Sequence, residues 1–310
     1  MITTENAVKK FGSFAALDKI NCSIPDGCIY GMVGTNGAGK STFLRLISGV
    51  YKADGGKVLA DGAPVYENTN VKSQMIFVPD ELYFLPGADM NRMAKLYANS
   101  HPGFDFDRYD KLTELFGLDP AKNLSTFSKG MKKQAICVLA LSVSSKYILF
   151  DETFDGLDPV MRNLVKRLVC EDVISRKATA VITSHSLREL EDTCDQLAML
   201  HKGGLVLQSD IQDLKTSLFK VQTAFSYDYD QDKFKGFDIL KFTKSGSVCN
   251  FLLKGDREQV TEKIEAMDPL FLDILPLSLE EVFTYETGIL GYGSDSEPEN
   301  VEKVSGGEKK

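Results

Sequence analysis

The chain has 310 residues, 43% of them hydrophobic, with six cysteines and a formal net charge of −8. That length allows one large domain plus a smaller one, and the acidic balance argues against a general nucleic-acid surface, so no nucleic-acid partner is expected. No stretch approaches eighteen uninterrupted apolar residues and the first residues lack a basic region followed by an apolar one, so neither a membrane span nor a secretory leader is expected.

The cysteines (Cys22, Cys28, Cys137, Cys170, Cys194, Cys249) show no C-x-x-C spacing and mostly sit in apolar contexts, which suits reduced thiols in a reducing cytoplasm. From the N-terminus, Ala7 to Gly12 and Ala16 to Ile24 give two strands. Phe11, at the end of the first, either stacks on a nucleotide base or packs in the core, and the residues leave the two readings even. The apolar run Cys28 to Val33 is short enough for a buried strand. It leads into Gly34-Thr35-Asn36-Gly37-Ala38-Gly39-Lys40-Ser41, which fits the phosphate-binding pattern G-x-x-x-x-G-K-[ST] at every fixed position. After it, Leu44 and Ile47 lie on one helix face and Gly49 closes the helix. Strand, glycine loop and helix together aim backbone N–H groups at one anion. Lys40 then neutralises the β/γ-phosphates and the Ser41 hydroxyl ligates Mg²⁺.

Further on, Lys57 to Ala60 and Met75 to Val78 are strand candidates, with Asp61-Gly62 as a turn between them. From Leu82 the texture becomes helical, broken at Pro86-Gly87, His101-Pro102-Gly103 and Asp119-Pro120, which predicts an inserted helical subdomain over about 82–142. Its last helix starts at Ser128, placed as an N-cap and hence as a second anion-binding helix start. Lys146 to Glu152 is a buried-strand pattern ending in two carboxylates, where ligands of parallel sheets collect. Asp151 is the candidate to hold Mg²⁺ through water, and Glu152 the candidate to orient or deprotonate an attacking water.

Asp158 and Pro159 start the next helix as N-cap and first helical residue. Thr179 to Thr183 forms a strand before Ser184-His185, which places His185 within reach of a γ-phosphate. Ser186 and Glu189 predict a capping box. His101 and His201 are expected on turns. A hairpin around His201 to Gly204 closes the first domain, 1–210. Residues 211–290 are expected to form a small α/β module, with strands at Val221 to Tyr227, Ile239 to Phe242 and Val248 to Leu253. Helices are expected from Arg257 to Met267 and, behind a capping box, from Ser278. The segment 291–310 has almost no apolar residues and is expected to be disordered.

In this order, the phosphate loop, Phe127-Ser128-Lys129-Gly130-Met131-Lys132, the strand ending in Asp151-Glu152, Gly156-Leu157-Asp158 and Thr183-Ser184-His185 resemble the ATPase subunits of ABC transporters. The resemblance covers roughly the first two-thirds of the chain. It implies an α/β fold with a P-loop NTPase core, an inserted helical subdomain, and ATP and Mg²⁺ as ligands. ATP contacts fall on Gly34, Thr35, Asn36, Gly37, Ala38, Gly39, Lys40, Ser41 and Thr42, with Phe11 where the family stacks adenine. Ser128 and Gly130 match its signature motif, whereas Lys129 and Met131 depart from its commonest form, Leu-Ser-Gly-Gly-Gln. That variant resembles bacterial subunits serving separately encoded permeases, often exporters. Asp80 stands where the family usually has a metal-proximal glutamine, so it either takes that role or only shapes a turn. Thr153 replaces the usual proline.

The resemblance further implies a head-to-tail homo- or heterodimer. Each ATP lies between one subunit's phosphate loop and the other's Ser128 region, and the dimer sits on the inner face of the cell membrane through its permease. Two alternatives are a soluble ABC-type ATPase acting on ribosomes or DNA, and a regulatory nucleotide sensor. The first usually joins two cassettes or adds a long coiled coil, and this chain has one phosphate loop and no sustained heptads. The second would be favoured by loss of Glu152 or His185, and both are present.

Overall fold

Three strands buried at every position, Ile29–Val33, Tyr147–Asp151 and Thr179–Ser184, form the centre of the first unit. The computed structural model describes residues 1–289, so the tail expected at 291–310 lies outside the described residues. Residues 1–213 form one compact unit, and a second begins at Leu214.

The first unit runs β1 (Ile2–Phe11), β2 (Phe14–Ile24), β3 (Ile29–Val33), α1 (Lys40–Ile47), β4 (Gly55–Ala60), β5 (Ala63–Pro64), α2 (Thr69–Lys72) and β6 (Met75–Val78). There follow α3 (Met90–Ser100), α4 (Phe106–Leu115), α5 (Lys129–Ser142), β7 (Tyr147–Asp151), α6 (Pro159–Arg176), β8 (Thr179–Ser184), α7 (Leu187–Glu191), β9 (Gln196–His201) and β10 (Gly204–Asp210). One sheet is antiparallel, in the order β2-β1-β4-β5. The other has the order β10-β9-β3-β8-β7-β6, parallel except for β10. Continuous apolar runs suit β3, β7 and β8 because a parallel sheet is covered on both faces. On α1, Phe43, Leu44, Leu46 and Ile47 join one core with Leu17 and Ile20 of β2 and Tyr30 and Met32 of β3. That packing fixes the helix start, and so the phosphate loop, against both sheets.

The helical insertion packs α3 and α4 on α5. Asp89, Asp105, Ser128 and Asp158 cap α3, α4, α5 and α6, each side chain accepting from backbone N–H groups in the first turn. Two local expectations are corrected. Asp61-Gly62 turns β4 into the two-residue β5, and β6 lies in the other sheet. Ser186 makes no side-chain cap, because Glu189 instead accepts from the Ser184 hydroxyl at 2.8 Å and pairs with Arg162 at 2.8 Å.

In the second unit, entered within α8 (Ile211–Ser217), are β11 (Leu218–Ala224), β12 (Asp238–Ser245), β13 (Val248–Lys254), α9 (Arg257–Glu265), β14 (Phe271–Pro276) and α10 (Leu279–Ile289). The sheet is antiparallel, β12-β13-β11-β14, over a core that includes Phe219, Val221, Phe234, Phe251 and Ile264. The first strand lies three residues earlier than the pattern predicts. The sequence pattern gives no sign of β14, since prolines bracket it, but a proline is tolerated at the end of an edge strand. The Ser278 and Glu281 capping box forms, with reciprocal bonds of 3.1 and 3.3 Å. Among the described residues no helix is long and apolar enough to cross a membrane.

Candidate active site at the phosphate loop

The loop after β3 is clamped from both sides. Ala38 donates to Thr35 O at 3.0 Å, and the Ala38 carbonyl accepts from Gly203 N at 3.1 Å in the β9–β10 turn. Two glycines are dictated by this approach: a Cβ at Gly34 would stand 2.5 Å from Leu200 O, and one at Gly39, whose φ is 108°, would stand 2.8 Å from Ala16 O. Lys40, the first residue of α1, is buried, and its ammonium donates to Gly34 O at 2.7 Å and pairs with Glu152 Oε1 at 3.0 Å.

Asp151 is 0% exposed at the end of β7. Its Oδ1 accepts from Ser41 Oγ and from Thr183 Oγ1, both at 3.0 Å, while Oδ2 is buried without a hydrogen-bond partner. Burial pushes this carboxyl above the ordinary carboxylate range, an effect the Ser41 and Thr183 hydroxyls oppose. A buried acceptor left unpaired beside a serine hydroxyl is a donor set that fits a hard divalent cation such as Mg²⁺.

Glu152 comes next, with φ at 45°, a left-handed backbone that side chains other than glycine rarely adopt, and its N–H donates to Thr183 Oγ1 at 3.0 Å. Beyond β8, His185 Nδ1 lies 3.0 Å from Asp155 Oδ2. Glu152, Asp155 and His185 bring one donor atom each within 4.8 Å of one another. The Asp155 carboxyl is pushed up to about 6, first by burial and then by its contact with the Glu189 carboxylate.

A groove of about 450 Å³ runs along the loop, lined by Phe11, Phe14, Ala16, Asn36, Gly37, Ala38, Gly39, Lys40, Ser41, Thr42 and Glu152. Phe11 is 47% exposed with its ring edge-on to Tyr51 at 5.5 Å, so it is not a core residue. Ser128 and Gly130 are not among the lining residues; Ser128 Oγ accepts from Met131 N at 3.2 Å at the start of α5. Asp80 is engaged by Lys133 of α5, at 3.3 Å. His101 caps the end of α3, and His201 ends β9.

Four contributors are given no role at the site by the sequence: Thr183 and Glu189, which enter only through the Thr183-Ser184-His185 motif and a capping box, and Lys133 and Asp155. A threonine inside an apolar strand next to Ser184-His185 is a weak signal for the first. Nothing in the spacing of Lys133 distinguishes it from its neighbour Lys132.

Fold and site together define a P-loop ATPase. A family model described as ABC transporter matches residues 17–155. The chain is 32% identical over 225 residues to the linearmycin resistance ATP-binding protein LnrL of Bacillus subtilis (strain 168), covering 70% of this chain and 72% of that one. The chain therefore belongs to the ATP-binding subunits of ABC transporters, a family that binds and hydrolyses ATP. Similarity extends through the second unit in the ABC transporter ATP-binding protein YtrB of the same organism, 29% identical over 288 residues, 93% of this chain and 98% of that one. In fold, the chain is similar to a dimeric ATP-binding cassette solved in a post-hydrolysis state with ADP and Pi. The TM-score is 0.62 at 19% identity, covering 68% of this chain and 99% of that one.

Proposed function

We propose that this subunit drives a separate membrane permease, working as an exporter, by closing and opening a head-to-tail dimer around ATP. The resistance named for LnrL and the dimer named for the solved cassette support this reading. The loop N–H groups and Lys40 bind the β/γ-phosphates, Phe11 stacks on adenine, and Ser128 and Gly130 close the site of the partner subunit. Ser41 and Asp151 hold Mg²⁺, which when bound supplies positive charge to the phosphates. Glu152 takes the proton of the attacking water, and His185 approaches the γ-phosphate. The subunit then lies on the inner face of the membrane, held there by the permease.

The observation that carries the hydrolytic part of this reading is the 3.0 Å contact between Lys40 Nζ and Glu152 Oε1, which puts a carboxylate beside the phosphate-binding ammonium. Glu152→Gln in the full chain should retain ATP binding and lose about a hundredfold or more in turnover. Turnover near that of the parent would reject Glu152 as the base.

A further inference from the structure

One turn into α5, beyond Ser128 and Gly130, stands Lys133, which is 2% exposed. A buried ammonium is costly unless each of its donors is met, and the Lys133 ammonium has three donors and three acceptors. It donates to the carbonyl of Glu152 at 3.1 Å, to the carbonyl of Asp155, and to Asp80 Oδ1 at 3.3 Å. The two carbonyls bracket the turn that follows the left-handed residue Glu152, where Asp155 N donates back to Glu152 O at 3.3 Å. Backbone strain of this kind persists only where the surroundings over-determine it. Thr183 holds the N–H of Glu152 and Lys133 holds its carbonyl, so both flanking peptides are fixed.

We propose that Lys133 is a positioning residue for hydrolysis: it holds the backbone of Glu152 so that its carboxylate faces the phosphate loop. Asp80 serves as the counter-charge of Lys133 and not as a metal ligand. The proposal rests on Glu152 being the base. It ties the start of α5 to the reacting carboxylate through one side chain, so a shift of α5 is transmitted to Glu152. Asp80 is 51% exposed on its side chain, and its contact with Lys133 is the outer anchor of this tie.

The experiment compares kcat, KM for ATP and Mg²⁺ dependence in full-length Lys133→Met, Lys133→Gln, Asp80→Asn and Glu152→Gln, each rate normalised to the fraction that binds a fluorescent ATP analogue. Removing all three donors in Lys133→Met should lower kcat about tenfold or more while KM stays within about twofold, as expected for a misplaced group that binds no substrate. Lys133→Gln keeps two N–H donors and should recover part of that loss. Asp80→Asn should lower kcat severalfold without changing the Mg²⁺ concentration for half-maximal rate. A normalised kcat for Lys133→Met within about twofold of the parent, with Glu152→Gln inactive, would overturn the role of Lys133 alone. An active Glu152→Gln would instead remove the base on which it rests. Should Lys133→Met fail to fold, Asp80→Asn decides: a raised Mg²⁺ requirement at unchanged kcat returns Asp80 to the metal and overturns the proposal.

Discussion

The ammonium of Lys40 and the carboxylate of Glu152 face each other across 3.0 Å, the first buried and the second only partly exposed. Each is the other's counter-ion, so an entering phosphate must compete with Glu152 for Lys40. Glu152→Gln removes that competitor and the repulsion between a carboxylate and the phosphates. ATP affinity of Glu152→Gln, titrated with EDTA present to suppress turnover, should therefore rise about three- to tenfold, the equivalent of ~1 kcal/mol in a partly exposed pair. Unchanged or weaker affinity would show that Lys40 is not restrained by Glu152.

Thr183 links the two acidic residues: its hydroxyl lies 3.0 Å from Asp151 Oδ1 and accepts from Glu152 N at 3.0 Å. Thr183→Val keeps shape and strand preference but leaves the Glu152 N–H without its partner and Asp151 with one donor fewer. Stability should fall by about 1–3 kcal/mol. The Mg²⁺ concentration for half-maximal hydrolysis should rise, because the remaining Ser41 contact no longer fixes Asp151 alone. Parent-like values for both in urea titration and rate assays would make Thr183 a plain core residue.

How much of the fold and site is legible in sequence depends on the range of the interactions. The glycine loop before α1, Asp151 at the end of β7 and the caps at Ser128 and Asp158 are local: each position is decided within a few residues, and the structure has each where the pattern puts it, with Glu152 just past the strand. Lys133 and Asp80 lie 53 residues apart, and Glu152 and Thr183 lie 31 apart, so spacing along the chain carries no trace of either contact. The failed box at Ser186 shows the same limit. Its local pattern is correct, and Glu189 is drawn away by Arg162, which comes from another helix. β14 is hidden for a different reason, since its status as an edge strand, which excuses Pro276, is a property of the finished sheet.

Ser128 caps its own helix and lies outside the groove at the phosphate loop, which leaves its helix start directed elsewhere. In a head-to-tail dimer, mixing a Lys40→Ala chain with a Ser128→Arg chain leaves one composite site with both parent elements. The mixture should recover up to about half of the parent hydrolysis per dimer, where neither mutant homodimer shows any, if a single intact site can turn over. Verified mixed dimers with no recovered hydrolysis would count against a shared site.

Asp155 makes the stability of the chain depend on pH. Its carboxyl is raised to about 6 by burial and by Glu189, although His185 opposes the shift. Between roughly pH 4 and 6 the folded chain therefore holds more protons at this position than the unfolded chain, whose ordinary carboxylate titrates near 4. Stability consequently falls as pH rises through that window, and the deficit remains in full above it. Asp155→Asn removes the charge and keeps an amide that can donate to Glu189. With the side chain of Asp155 24% exposed, solvent screening reduces the expected gain to about 1–2 kcal/mol at pH 8. The variant should therefore melt above the parent at pH 8, and the difference should shrink as pH is lowered toward 5, where the parent's carboxyl becomes neutral. A difference that stays constant across that range would mean that the substitution acts through packing or through the His185 contact, and not through the buried charge.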